Sequence, residues 1–190
     1  MKIRVFFACL LLLAAAPVFL AAQDASSPAL KPIINHFAAR NFAAGAVTRA
    51  ELDLIIQAAI RAPSASNRQP WHFTVVQNQD LAKQIVPQVV DGNVLIVISA
   101  RGDGKTNGVQ ILDCALAAQS VYLAAQALGL GSRIYTGPID ALNRNLKSQL
   151  GIPADQNAVV LVRVGRLPAG TDAVSSASAR NPADSLVTYK

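Results

Sequence analysis

Two rhythms of apolar and polar positions run along the chain. Leu52, Ile55, Ile56, Ala59 and Ile60 recur at the three- and four-residue spacing of one helix face. They follow Thr48-Arg49-Ala50-Glu51, in which Thr and Glu stand at the spacing of a capping box. The pattern predicts a helix from Thr48 to about Arg61, stopped by Pro63. His72-Phe73-Thr74-Val75-Val76 is rich in β-branched and aromatic residues and predicts a strand. Two continuous apolar runs, 93–100 (NVLIVISA) and 158–164 (AVVLVRV), have strand length and suit the centre of a sheet covered on both faces. Further helices are predicted over 81–86, closed by Pro87, and over 109–128, an Ala- and Leu-rich stretch stopped by Gly129-Leu130-Gly131. A last helix over 140–150 is closed by Gly151 and Pro153. Helices mixed with three or four strands, with neither regular alternation nor internal repeat, point to an α+β layered domain.

Residues 1–22 follow neither rhythm. Lys2 and Arg4 precede an apolar run over 5–20, broken only by Pro17, and Ala21, Ala22 and Ala25 offer small residues for cleavage. This is the layout of a secretory signal peptide, and an uncleaved membrane anchor is the alternative. The expectation is export to the periplasm or beyond, a linker over 23–31 and one domain over 32–190. Cys9 lies inside the apolar run, where a lipid-bearing cysteine would not be placed. Cys114 is then left with no disulfide partner and reads as a small buried hydrophobe. Setting that segment aside removes Lys2 and Arg4 and lowers the net charge from +6 to +4, without a Lys/Arg run. Nucleic acid is excluded as a partner on that ground. No His, Cys and carboxylate cluster has metal-ligand spacing, so no metal is expected. Asp113 is expected to cap the long helix.

The stretch RAPSASNRQPWHF, 61–73, places a helix stop, two prolines, two hydroxyls and two amides directly before a strand. Asn and Gln each present donor and acceptor together, which suits the edge of a heteroaromatic ring such as the pyrimidine side of a flavin; a well-capped structural loop has the same composition. The stretch resembles the flavin-binding loop of the nitroreductase family, Pro-Ser-Ser-x-Asn-x-Gln-Pro-Trp, with Pro63, Ser64, Asn67, Gln69, Pro70 and Trp71 matching and Ala65 in place of the second Ser. The capped helix before it, the strand after it, the helix ending in Ala-Leu-Gly-Leu-Gly and Ile134-Tyr135-Thr136-Gly137 stand in the family's order, over roughly residues 33–187.

The resemblance implies a mixed sheet flanked by helices, an intertwined homodimer, and FMN at each subunit interface. It implies that Pro63, Ser64, Ala65, Asn67 and Gln69 contact the flavin, and that backbone groups of Thr136 and Gly137 approach its N5. Many relatives have Glu at the position of Thr136. The family grips the FMN phosphate with Arg-Arg-Ser ahead of x-Arg-x-Phe. Here Ala39-Arg40-Asn41-Phe42 keeps the second part, but His36-Phe37-Ala38 stands at the gripping positions. A phosphate dianion needs charge-assisted partners, each worth ~1.5–3 kcal/mol. Of a second basic element, Lys-x-Arg-x-Pro, this chain keeps Arg180 and has Ser178 for the Lys. Asp172-Ala173-Val174-Ser175-Ser176-Ala177-Ser178 also resembles the flavinylation motif of exported proteins, in which a flavin transferase joins FMN to a hydroxyl by a phosphoester. Ser178 would be the acceptor.

The function so implied is an exported FMN-dependent oxidoreductase that reduces a small-molecule electron acceptor, with electrons drawn from a membrane or exported donor. The alternatives are a noncatalytic, flavinylated electron-transfer module that docks to a redox partner, and a domain that has lost its flavin.

Overall fold

The computed structural model describes residues 27–102, 108–175 and 177–190. The expected signal segment, residues 23–26 of the expected linker and Ser176 lie outside the described residues.

Four strands, β1 (His72–Val76), β2 (Val94–Arg101), β3 (Gly131–Tyr135) and β4 (Gln156–Gly165), form one sheet in the order β1-β2-β4-β3. The two apolar runs thus occupy the centre, as their composition led us to expect. Their alternate side chains serve two layers. Ile96, Ile98, Val160, Val162 and Val164 pack with α2 (Arg49–Ala59) and α4 (Gly108–Ala127). Leu95, Val97 and Leu161 pack with α3 (Gln79–Ile85) and α5 (Ile139–Asn145) on the other face. The α+β sheet flanked by helices is as expected, but strand direction differs from the expected mixed sheet: all three pairings are antiparallel. β2 and β3 run the same way, joined by α4, and β4 inserts between them in the opposite sense.

Local chemistry sets the element ends. Thr48 and Glu51 form the capping box of α2, Thr48 Oγ1 accepting from the Glu51 N–H at 3.3 Å and Glu51 accepting from the Thr48 N–H at 2.8 Å. α4 ends in a Schellman motif: Leu130 N–H reaches Ala125 O at 2.9 Å, Gly129 N–H reaches Gln126 O at 3.0 Å, and Gly129 takes φ +77°. α3 starts two residues earlier than expected, because the Asn78 side chain caps it by accepting from the Leu81 N–H. α5 stops at Asn145, short of the expected Leu150, and the chain reaches Gly151 through turns. A short helix, α1 (Lys31–Ile34), begins where the linker was expected to end.

Candidate flavin site

The loop between α2 and β1 is strained. Ser66, Asn67 and Gln69 take φ of +52°, +53° and +47°, a region that costs a non-glycine residue ~1–2 kcal/mol. Hydrogen bonds hold it there. Asp113 Oδ1 accepts from the Ala65 N–H at 3.0 Å, Ser64 Oγ accepts from the Gln69 N–H at 3.0 Å, and Gln69 Nε2 donates to Asn67 Oδ1 at 3.2 Å. Pro63, Ala65, Asn67 and Gln69 are exposed and Ser64 is half-buried. The loop therefore presents a fixed row of amides to its surroundings. Its far end is anchored by Trp71, half-buried against the core with its ring 6.3 Å from that of Phe73. Asp113 does not cap α4. It is the sixth residue of that helix, buried, and satisfies the loop instead, because the helix already begins at Gly108.

Before Trp71 lies a groove of about 370 Å³, bordered by Arg68, Arg101, Val109, Asp113 and Gln156. Arg101 Nε meets Asp155 Oδ2 at 2.9 Å, and Gln156 Oε1 accepts from the buried Ser99 hydroxyl at 2.8 Å. The neighbouring Cys114 is buried, and burial, then the Asp113 charge, push its thiol up to about 12. It is no nucleophile at neutral pH.

Thr136 and Gly137 follow β3 and are exposed. A Cβ built on Gly137 would meet nothing within 4 Å, so its backbone is open to approach. They lie across the sheet from the Ser64–Gln69 loop, with β2 and β4 between the two edge strands, about 14 Å at the ordinary strand spacing. Gly137 borders a different groove, between α3 and α5. One chain does not bring the two elements together.

The expected phosphate elements partly converge. His36 Nδ1–H donates to Ile33 O at 2.8 Å, and the ring stands edge-on to Tyr122 at 5.3 Å. Burial raises the Tyr122 pKa, while a bond with Gln126 and the charge of Arg180 oppose that rise. His36 packs on the tyrosine whose hydroxyl feels the Arg180 charge. Arg180 Nη1 donates to Ser178 O at 2.9 Å, and both residues are exposed. In the motif leading to Ser178, Asp172 Oδ1 accepts from the Val174 N–H at 3.0 Å. Arg40 is exposed and borders a separate surface cavity with Phe37 and Thr171.

Sequence reasoning missed what fixes Arg40 in place. Phe42 lies under the guanidinium of Arg163, 3.9 Å from its ring centre, and Arg163 Nε donates to Asn93 Oδ1 at 2.8 Å. Asn93 and Arg163 are both buried. Burial lowers the Arg163 pKa, and a bond to Tyr135 opposes this. Backbone bonds from Ala39 to Ser132 and from Ala43 to Arg166 complete the attachment of the Arg40 segment. The signal was available: a lone Arg inside the apolar run AVVLVRV has to find a buried partner.

Comparison with known sequences matches the Nitroreductase family over residues 33–94 and 89–166. The chain belongs to the nitroreductase family. Among sequence relatives of this family member, it is 33% identical over 141 residues to a protein of Archaeoglobus fulgidus described as an NADH dehydrogenase/NAD(P)H nitroreductase, covering 69% of this chain and 79% of that protein. Among solved structures it is similar to one described as a nitroreductase in complex with FMN, from Desulfovibrio desulfuricans, with 25% identity, a TM-score of 0.71 and coverage of 86% and 96%. A nitroreductase with bound FMN from Desulfitobacterium hafniense shares the fold, with 23% identity, a TM-score of 0.70 and coverage of 86% and 98%.

Proposed function

We propose that this nitroreductase-family oxidoreductase is an exported homodimer that works with FMN, joined covalently to Ser178, and passes electrons to a small-molecule acceptor. The observation that carries the flavin reading is the Ser64–Gln69 loop: three left-handed residues pinned by Asp113 and Ser64, with the amides of Asn67 and Gln69 exposed. Strain of this kind persists where the surroundings over-determine it, and such places are commonly functional. The donor set fits the group: amides for a ring edge, an open backbone at Gly137, and the cations Arg180 and Arg40 for a phosphate. Bound FMN would accept two electrons and release one or two. The chain's part is to hold and orient it: Ser64, Ala65, Asn67 and Gln69 at the ring edge, and the Thr136–Gly137 backbone at the other side.

A second copy follows from the separation of those elements across the sheet. α4 supports it, since Val109, Leu112 and Leu116 face outward at 48%, 65% and 44% exposure on a helix already packed on its other side. The C-terminal arm supports an intertwined form. It exposes Leu186, Val187 and Tyr189, and β1 offers an edge with no strand beside it among the described residues.

Covalent attachment is supported by the erosion of the phosphate grip at His36-Phe37-Ala38, by the exposure of Ser178 and by the Asp172 motif ahead of it. Export is supported by residues 1–22. NAD(P)H should be scarce in that location, so the donor is a membrane redox chain or an exported carrier. A flavin transferase would be the enzyme that loads the chain. The test is the intact mass of the denatured, desalted protein after export in a host that carries such a transferase. A gain of one FMN less one water is expected. Yellow protein of unmodified mass would retain the flavoprotein reading and remove the covalent bond; colourless protein would remove both. A noncatalytic electron-transfer module differs in one measurable respect: it would be reoxidised by a protein partner and by no nitroaromatic or quinone.

A further inference from the structure

We propose that the groove before Trp71 selects the acceptor of this oxidoreductase, and that it selects a small planar organic anion such as an aromatic carboxylate; the proposal rests on the flavin reading of the adjoining loop. At about 370 Å³ the groove suits a single-ring molecule, near the lower end of the ~300–1,000 Å³ range of small-molecule sites. Its apolar wall is the Trp71 ring and Val109. Trp71 is half-buried and packs against the core. Three elements bring polar groups to that wall, and two of those groups are the guanidinium donors of Arg68 and Arg101.

Arg68 projects from the strained loop and, among the described residues, forms no ion pair. Arg101 and Gln156 are direct partners in the β2–β4 register. The Arg101 ion pair with Asp155 joins side chains that are 77% and 58% exposed, so it is worth only ~0–1 kcal/mol and exchanges readily for a ligand carboxylate. The Gln156 oxygen is occupied by the Ser99 hydroxyl, which leaves its amide N–H groups to donate. The carboxylate in the wall, Asp113, is buried and accepts from the Ala65 N–H. Two guanidinium groups and an amide beside an aromatic face form a site for a flat ring with a carboxylate at its edge. Guanidinium groups are well shaped for such a group.

Trp71 is the sole tryptophan of the chain, so its fluorescence reports on the groove whether or not flavin is present. The full-length exported protein is titrated with 4-nitrobenzoate and with 4-nitrobenzyl alcohol, a neutral probe of similar shape and absorbance. The expected result is a Kd about tenfold lower for the carboxylate at low salt, falling to near parity in the Arg68→Gln/Arg101→Gln double variant. Both substitutions are at exposed side chains, and Arg68→Lys should keep part of the preference because it keeps the charge. Equal affinities in the unaltered protein, or a preference that survives the double variant, would overturn the proposal. Yellow protein without the preference defeats this inference alone. Colourless protein with the preference defeats the flavin reading, and with it the groove's role in choosing an acceptor.

Discussion

The Asp113 carboxylate accepts the backbone N–H of Ala65 at 3.0 Å, across 48 positions of sequence. That bond ties the second turn of the longest helix to the strained loop and fixes the loop's height over the groove. Asp113→Ala leaves a part-buried N–H without its acceptor, which should destabilise the fold by about 1–3 kcal/mol. It should also weaken flavin retention. Asp113→Asn keeps an oxygen in place and should lie near the unaltered protein on both measures. Urea midpoints and the visible absorbance of the purified protein read the two effects separately.

Asn67 combines a left-handed backbone with an exposed amide, so one substitution changes two things. Asn67→Ala loses the amide and adds ~1–2 kcal/mol of backbone strain, whereas Asn67→Gly loses the amide and relieves the strain. A ring-edge role for the amide predicts the same shift of the flavin absorption bands in both variants. Only the alanine variant should lower the urea midpoint. A spectrum unchanged in both would remove Asn67 from the flavin site.

The central strands were legible because buried strands are continuous apolar runs, and α2 was legible because its cap and its face agree. The loop was legible as chemistry, but its conformation was not: nothing in Ser66, Asn67 or Gln69 announces three positive φ values, since they depend on a carboxylate 48 positions away. Asp113 was misread for the same reason, as a residue near a helix start is ordinarily a cap. The attachment of Phe42 by Arg163 and Asn93 was legible only in part: a lone Arg in an apolar strand announces a buried partner, but the partners come from distant stretches that no local pattern names. The separation of Thr136–Gly137 from the loop depends on strand order, which no local pattern encodes.

Glu51 supplies a pH dependence. Burial raises its carboxyl, but bonds from Arg166 and from Thr48 outweigh this and hold the pKa below its ordinary value. The Arg166 guanidinium grips both carboxylate oxygens, at 2.7 and 2.8 Å. A carboxylate with a depressed folded pKa stabilises the protein fully above its unfolded pKa of ~4.3, and the contribution fades as pH falls through the folded value. The stability difference between the unaltered protein and Glu51→Gln should therefore be greatest near neutrality and shrink below pH ~4. Urea denaturation across that range checks it, and a difference that stays constant into acid would show that the charge of Glu51 is not what matters.

Ser178 is exposed, and among the described residues only its backbone carbonyl is engaged, by Arg180. Ser178→Ala should leave the thermal unfolding midpoint unchanged while abolishing flavin fluorescence that survives denaturation. Ser178→Thr keeps a hydroxyl and should keep the bond. Fluorescence of denaturing gels distinguishes the three proteins, and a fluorescent alanine variant would move the attachment elsewhere.

The outward face of α4 connects assembly to the flavin. Leu112 and Leu116 are one turn apart and exposed, and Val109, a turn before Leu112, also lines the groove before Trp71. If this face is covered by a second copy, two buried carboxylates there would lack partners, and each would cost several kcal/mol. Leu112→Glu/Leu116→Glu should then yield a folded monomer, seen by sedimentation or light scattering. Since the loop and Thr136–Gly137 stand on opposite sheet edges of one chain, that monomer should also lose noncovalently held flavin, even though neither leucine belongs to the proposed flavin contacts. A covalently loaded monomer should stay yellow with altered absorption bands, its flavin tethered at Ser178 but no longer held from both sides. A dimer that persists in the double variant would place the interface elsewhere; a monomer with an unchanged flavin spectrum would mean that one chain suffices to hold the ring.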